Sequence, residues 1–112
     1  MSQVTVAGYE VLYKAINTAS ASTELVAAVA NKRIRVIGFY LTSDVAQVVS
    51  LLSAVTELAS FRISQVVSGS LPHINLVPNR LGYMETALGA ALNLTQASTN
   101  NADGFLVYVV AD

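Results

Sequence analysis

The chain contains no cysteine, so it can have no disulfide framework, no thiolate nucleophile and no cysteine-based metal site. Stability has to come from packing and association. Charge is scarce as well: charged residues make up 12% of the sequence and the formal net charge is −1, where an ordinary soluble domain is roughly a quarter charged. Such a balance supplies neither the basic field with which nucleic-acid binders displace counterions nor an attraction to acidic lipid. Nucleic acid and membrane are therefore not expected as partners. A single histidine, His73, and seven scattered acidic residues are a thin supply of groups for acid–base catalysis. No enzymatic activity and no cofactor are expected, and a small hydrolase is only a third choice. No stretch approaches the ~20 uninterrupted apolar residues of a membrane helix. Residues 1–18, with Glu10 and Lys14, lack the basic start and apolar block of a signal peptide. The expectation is a soluble protein made in a cytoplasm.

What the sequence does have is apolar residues, at 54% of 112, in a length that suits one domain. Part of that excess is expected to face a partner. Short β-type segments alternate with Gly, Asn, Asp, Ser and Pro clusters at intervals of roughly 8–12 residues, the spacing of a sandwich or barrel. The reading is an all-β, antiparallel jelly-roll-like β-sandwich of about eight or nine strands. Residues 24–29 lead through Ala30, Asn31 and Lys32 into a strand at 34–42, which reads as a hairpin. Strands follow at 47–52 and 58–63, then a loop around Ser68, Gly69 and Ser70 closed by Pro72, then a strand at 73–77. Pro78, Asn79 and Arg80 read as a type I turn that Gly82 ends. Strands at 83–86 and 91–95 are split by Leu88 and Gly89, and residues 100–104 form a loop before the last strand, 105–110. Residues 45–55 and 25–30 also fit helical spacing, but both are short and sit among strands, so strands are preferred. Residues 1–22 read as an arm, with Val4, Val6, Val11 and Tyr13 as an added edge strand and residues 17–23 as a linker. Residues 23–112 are then the sandwich domain.

Two strands are apolar on both faces under strict alternation. In one, Ile34, Val36 and Tyr40 oppose Ile37, Phe39 and Leu41; in the other, Phe105, Val107 and Val109 oppose Leu106, Tyr108 and Val110. An antiparallel sandwich buries only one face of each sheet, so something must cover the other. A subunit interface is the simplest cover, and an N-terminal arm or a long loop is the alternative.

His73, after Pro72 at a strand start, reads as structural, and Glu85 as a solvated or salt-bridged sheet residue rather than a glycosidase carboxylate. Lys32, Arg33 and Arg35 form the one basic cluster, a solvated patch or the rim of a contact with an acidic partner. Gly82, Gly89 and Gly104 fall in turns and make no phosphate loop, and Asn93-Leu94-Thr95 matches a glycosylation acceptor by chance. Of the five tyrosines, Tyr9 and Tyr13 are candidate partner contacts in the arm, as are the three basic residues.

Residues 25–39 (Leu-Val-Ala-Ala-Val-Ala-Asn-Lys-Arg-Ile-Arg-Val-Ile-Gly-Phe) and 82–94 (Gly-Tyr-Met-Glu-Thr-Ala-Leu-Gly-Ala-Ala-Leu-Asn-Leu) resemble small phage-encoded β-sandwich proteins in order, spacing and turn placement. The resemblance covers about residues 24–110. It departs at Asn31, where a Gly is usual, and at Tyr83, where a Trp is usual. What it implies is a jelly-roll virion component, often trimeric, that decorates capsids or sits at tail and fibre junctions. Such proteins work by assembly, so no catalytic residues carry over. The first expectation is a capsid decoration or cement protein on the outer capsid surface. It would be a homotrimer that binds the major capsid protein or another virion protein, with Ile37, Phe39, Leu41, Leu106 and Tyr108 buried around the threefold. The arm is expected to dock on a neighbour or on the shell. The alternative is a glycan- or receptor-binding module of a tail or fibre, using exposed tyrosines and Asn loops.

Overall fold

A computed structural model describes residues 5–6, 8–64 and 73–112, and the loop expected around Ser68, Gly69 and Ser70 lies outside them. Among the described residues there is no helix, and the strands, several with β-branched runs, are β1 (Thr5–Val6), β2 (Tyr9–Glu10), β3 (Leu12–Thr18), β4 (Ser22–Val26), β5 (Arg33–Ser43), β6 (Gln47–Ser53), β7 (Thr56–Ile63), β8 (His73–Leu76), β9 (Met84–Glu85), β10 (Leu92–Gln96) and β11 (Ala102–Ala111). Two antiparallel sheets pack together as a β-sandwich. One has the order β4-β10-β6-β7; the other runs β3-β11-β5-β8, with β9 also pairing β5. Strands β1 and β2 form a small ladder of their own that joins neither sheet by hydrogen bonds.

The core lies between the sheets. From the five-stranded sheet come Ile16, Ile34, Val36, Phe39, Leu41, Ile74 and Leu106; from the four-stranded sheet come Leu25, Val49, Leu51, Ile63, Leu92 and Leu94. Phe39 of β5 meets Phe61 of β7 across the gap, with ring centroids 5.9 Å apart at 40°, within the range in which aromatic pairs attract.

A bulge explains why β5 looks two-sided in sequence. Along β11 the partner on β5 jumps from Gly38, opposite Val107, to Val36, opposite Tyr108, leaving Ile37 unopposed. The extra residue reverses the alternation. Ile34 and Val36 before it and Phe39 and Leu41 after it consequently all point inward. Strand β11 is two-sided in fact: Leu106 faces the core, while Val107 and Val109 point outward into a second buried cluster with Ile37 and Val11, against which Tyr9 packs. The cover for that outer face is therefore the chain's own N-terminal segment.

The expected intersubunit set is corrected accordingly. Phe39, Leu41 and Leu106 are fully buried inside one chain, Ile37 is 2% exposed beneath Val11, and Tyr108 is half-buried against the core. Of the five, only Tyr108 keeps appreciable accessible surface. The hairpin expected across residues 24–42 is corrected too: Asn31 does reverse the chain, with φ 63° and Lys32 N–H donating to Val29 O at 3.1 Å. That reversal carries it between sheets, because β4 pairs β10 and β5 pairs β11. The linker expected at 17–23 shortens, since β3 runs to Thr18 and β4 starts at Ser22. Strand β3 pairs β11 from Leu12 to Thr18, so it is an edge strand of the sandwich itself. The last strand begins at Ala102, so the loop before it is shorter than expected.

One buried polar contact joins the sheet edge to the loop beyond it. The Thr86 side chain is 1% exposed, and its Oγ1 accepts a hydrogen bond from Ile34 N–H at 2.9 Å. Thr86→Val keeps the shape but leaves that amide buried without a partner, a loss expected at about 1–3 kcal/mol. Urea unfolding checks it, with Thr86→Ser as the control that retains the bond and falls closer to wild type.

Candidate functional site

Turns ordinarily use Gly, Pro, Asn, Asp and Ser, which tolerate the needed φ values or bond their own backbone. At one end of the sandwich the chain uses alanine, valine and leucine instead. The connection after β4 runs Ala27-Ala28-Val29-Ala30-Asn31, the turn after β6 is Ala54-Val55, and the loop after β9 includes Ala87-Leu88-Gly89-Ala90-Ala91. Ala27, Ala28, Ala30, Ala54 and Ala87 are exposed, as are Val29 at 39%, Leu88 at 53% and Val55 at 89%.

Backbone bonds hold these three loops together. Gly89 N–H donates to Lys32 O at 2.7 Å, and Ala54 N–H donates to Ala91 O at 2.8 Å. Ala87 N–H donates to Ser53 Oγ at 2.8 Å, and the Asn93 amide donates to Ala54 O at 2.9 Å. The result is an uncharged aliphatic surface built from three distant stretches of sequence. The opposite end closes with a polar network. Gln47 Nε2 donates to Ser43 Oγ at 2.7 Å and to Gln96 Oε1 at 3.0 Å, Ser98 N–H donates to Gln47 Oε1 at 2.9 Å, and Gln96 Nε2 donates to Ser20 O at 2.9 Å. Against that polar end, the aliphatic end stands out as the surface whose composition its own fold does not require.

The three basic residues are engaged within the chain. Lys32 pairs with Asp112, whose carboxylate accepts its hydrogen bond and holds the Lys32 pKa above its ordinary value. Arg35 pairs with Glu85 at 3.2 Å, and Arg33 reaches Thr86 O at 3.4 Å. They form a neutralised rim beside the aliphatic loops. Tyr9 is half-buried on the second cluster and its hydroxyl accepts from Asp112 N–H at 3.4 Å, so it serves the chain's own packing. Tyr13 is 67% exposed and remains available to a partner.

A shallow cleft of about 400 Å³ is lined by Arg35, Leu81, Gly82, Tyr83, Met84 and Glu85. Its two charged groups are bonded to each other, and the Tyr83 hydroxyl donates to Val77 O. The turn beside it spans Asn79 to Gly82, with Gly82 N–H donating to Asn79 O at 2.9 Å and φ 82° at Gly82, where a side chain would be strained. Among the described residues no group of three or more His, Cys, Asp or Glu is placed to hold a metal ion. His73 is exposed at the start of β8, its ring 5.7 Å from that of Tyr40.

Sequence reasoning named neither Val55 nor Leu88 as a contact residue. The signal was present as apolar turns, but an alanine-rich run between strands reads equally well as helix or strand ends. No protein-family model matches the chain, and no curated protein matches it.

Proposed function

We propose that the chain is a non-enzymatic phage virion protein, a capsid decoration or cement protein with a jelly-roll sandwich, which self-associates as a trimer through its aliphatic loop end. The strand order supports the jelly-roll reading. Each sheet interleaves early and late strands, β3-β11-β5-β8 and β4-β10-β6-β7, as two wrapped Greek keys do. The two sequence segments that resemble phage proteins, 25–39 and 82–94, also supply two of the three loops at that end.

The observation that carries the reading is the exposure of Val29, Val55 and Leu88 on three uncharged loops that backbone bonds join at one end of the sandwich, beside the internally neutralised Lys32–Asp112 and Arg35–Glu85 pairs. A symmetric contact brings like residues close, so a charged patch would repel its own copies, whereas this one does not. An apolar centre with a polar rim is the usual anatomy of a lasting contact between copies. On the outer surface of a capsid, many such trimers binding the major capsid protein would brace neighbouring capsomers, with repetition replacing strong single-site affinity. The protein would be made in the host cytoplasm and end in the virion.

Light scattering across a roughly hundredfold dilution tests self-association. Wild type is expected to stay trimeric over the upper part of that range. The double variant Val55→Asp, Leu88→Asp is expected to be monomeric there, with association weakened roughly a hundredfold or more by two buried carboxylates without partners. Because Val55 is 89% exposed, the monomer's fold should survive, and circular dichroism checks that. A wild-type monomer at every concentration would sink the reading, and so would a double variant that still forms trimers.

A further inference from the structure

The outer face of the five-stranded sheet carries a row of rings. His73 stacks near Tyr40 with centroids 5.7 Å apart at 30°, and Tyr40 near Phe105 at 5.8 Å and 19°. Tyr40 thus backs one side of the Phe105 ring. On the other side lies β3, where the residue opposite Phe105 is Ala15. A methyl group is too small to cover a phenyl face, and among the described residues β3 is the edge strand with no further strand beyond it. Phe105 is accordingly 45% exposed despite sitting mid-strand on one of the sheet's interior strands.

Polar groups flank this uncovered ring on the same face. One row along, Asp103 of β11 lies opposite Asn17 of β3; one row the other way, Tyr13 lies opposite Val107. Asp103 and Asn17 are exposed and Tyr13 is 67% exposed. The Thr42 hydroxyl is held by the backbone carbonyl of Asp103 at 3.1 Å, which leaves the Asp103 carboxylate uninvolved. Among the described residues, neither that carboxylate nor the Asn17 amide has a side-chain partner.

We propose that Phe105, bared by Ala15 and flanked by Asp103, Asn17 and Tyr13, is a stacking site for a neutral hexopyranose unit of a polysaccharide. The negative face of an aromatic ring attracts the weakly positive axial C–H groups of a sugar, and the flat contact excludes water from both. The carboxylate accepts hydrogen bonds from sugar hydroxyls, while the amide and phenol can donate or accept. Asp103 disfavours an anionic sugar. A second copy fits less well, because a symmetric contact here would bury unpaired carboxylates near one another, and interface centres are depleted of charge. This site goes beyond the assembly reading and lies on a sheet face away from the aliphatic loops, so either can fail alone.

The test is a ¹H–¹⁵N titration of the whole chain with maltohexaose, cellohexaose and chitohexaose, each to about 10 mM, since shallow single-ring sites bind in the millimolar range. At least one probe is expected to give saturable shifts at the amides of Ala15, Asn17, Asp103 and Phe105. Phe105→Ala should abolish them, and Asp103→Asn should weaken binding roughly tenfold. Ala15→Leu keeps the ring but covers its face, so it should also abolish binding, and it stands in if Phe105→Ala fails to fold. Absence of shifts with all three probes overturns the proposal, as do shifts confined to other residues or binding that survives Ala15→Leu.

Discussion

Phe39→Ala is expected to lower the unfolding free energy by about 3–5 kcal/mol, the range for deleting a large buried aromatic side chain. Phe39 has no exposed surface, lies on the central strand β5 and touches Phe61 on the opposite sheet. Truncation removes apolar burial and leaves a void between two sheets that are each held by their own backbone ladders, so collapse can fill it only partly. Against a total stability of ~5–15 kcal/mol for a domain, that is a large fraction. Guanidinium unfolding at low protein concentration checks the value. If Phe39 lined an intersubunit face instead, the variant would lose association while the isolated chain kept its stability. A loss under about 1 kcal/mol in the monomer would contradict the burial described here.

Gly104→Ala is expected to cost at least as much, for a different reason. A Cβ at this position would lie 1.8 Å from Tyr40 O, 2.7 Å from Tyr40 C and 2.9 Å from Leu41 Cα. All three are backbone atoms of the neighbouring strand, so no side chain can rotate away. The β5–β11 ladder, which runs from Ala102 to Ala111, would have to part locally or slip. A slip by one residue turns Leu106 out of the core and Phe105 into it. A loss of about 3–5 kcal/mol follows, enough to unfold a marginal domain. Gly89→Ala is the comparison: nothing lies within 4 Å of its added Cβ, and only φ 74° opposes it, so about 1–2 kcal/mol is expected. Thermal melts of the two variants side by side check the order, and equal melting temperatures would contradict it.

The strand pattern was largely legible because alternation and turn residues are local properties. Gln47–Ser53 is instructive: its Val48, Val49 and Leu52 fit a helical period, yet it forms β6, as its neighbours suggested. Three features escaped that reading. The bulge at Ile37 has only the adjacent Gly38 as its sign, a lone glycine that equally marks close packing, here against Pro78, and without the bulge β5 appears apolar on both faces. The cover over Val107 and Val109 comes from Tyr9 and Val11, nearly a hundred residues away in sequence, so burial that looked intersubunit is internal. The apolar loops looked like strand ends until pairing brought residues 27–31, 54–55 and 87–91 to the same end.

By itself, the sequence determined that this chain is all-β, that it has no cysteine chemistry, and roughly where the chain reverses. Those follow from composition and from a two-residue period that each segment carries within itself. Only the tertiary structure decided which strands pair, which apolar faces are covered from within, and that Lys32 and Arg35 pair with Asp112 and Glu85 of the same chain. Alternation tells which side of a strand is apolar, but not what lies opposite. That choice is made by summing burial and hydrogen bonding over both sheets at once, between segments as distant as Thr18 and Ala102.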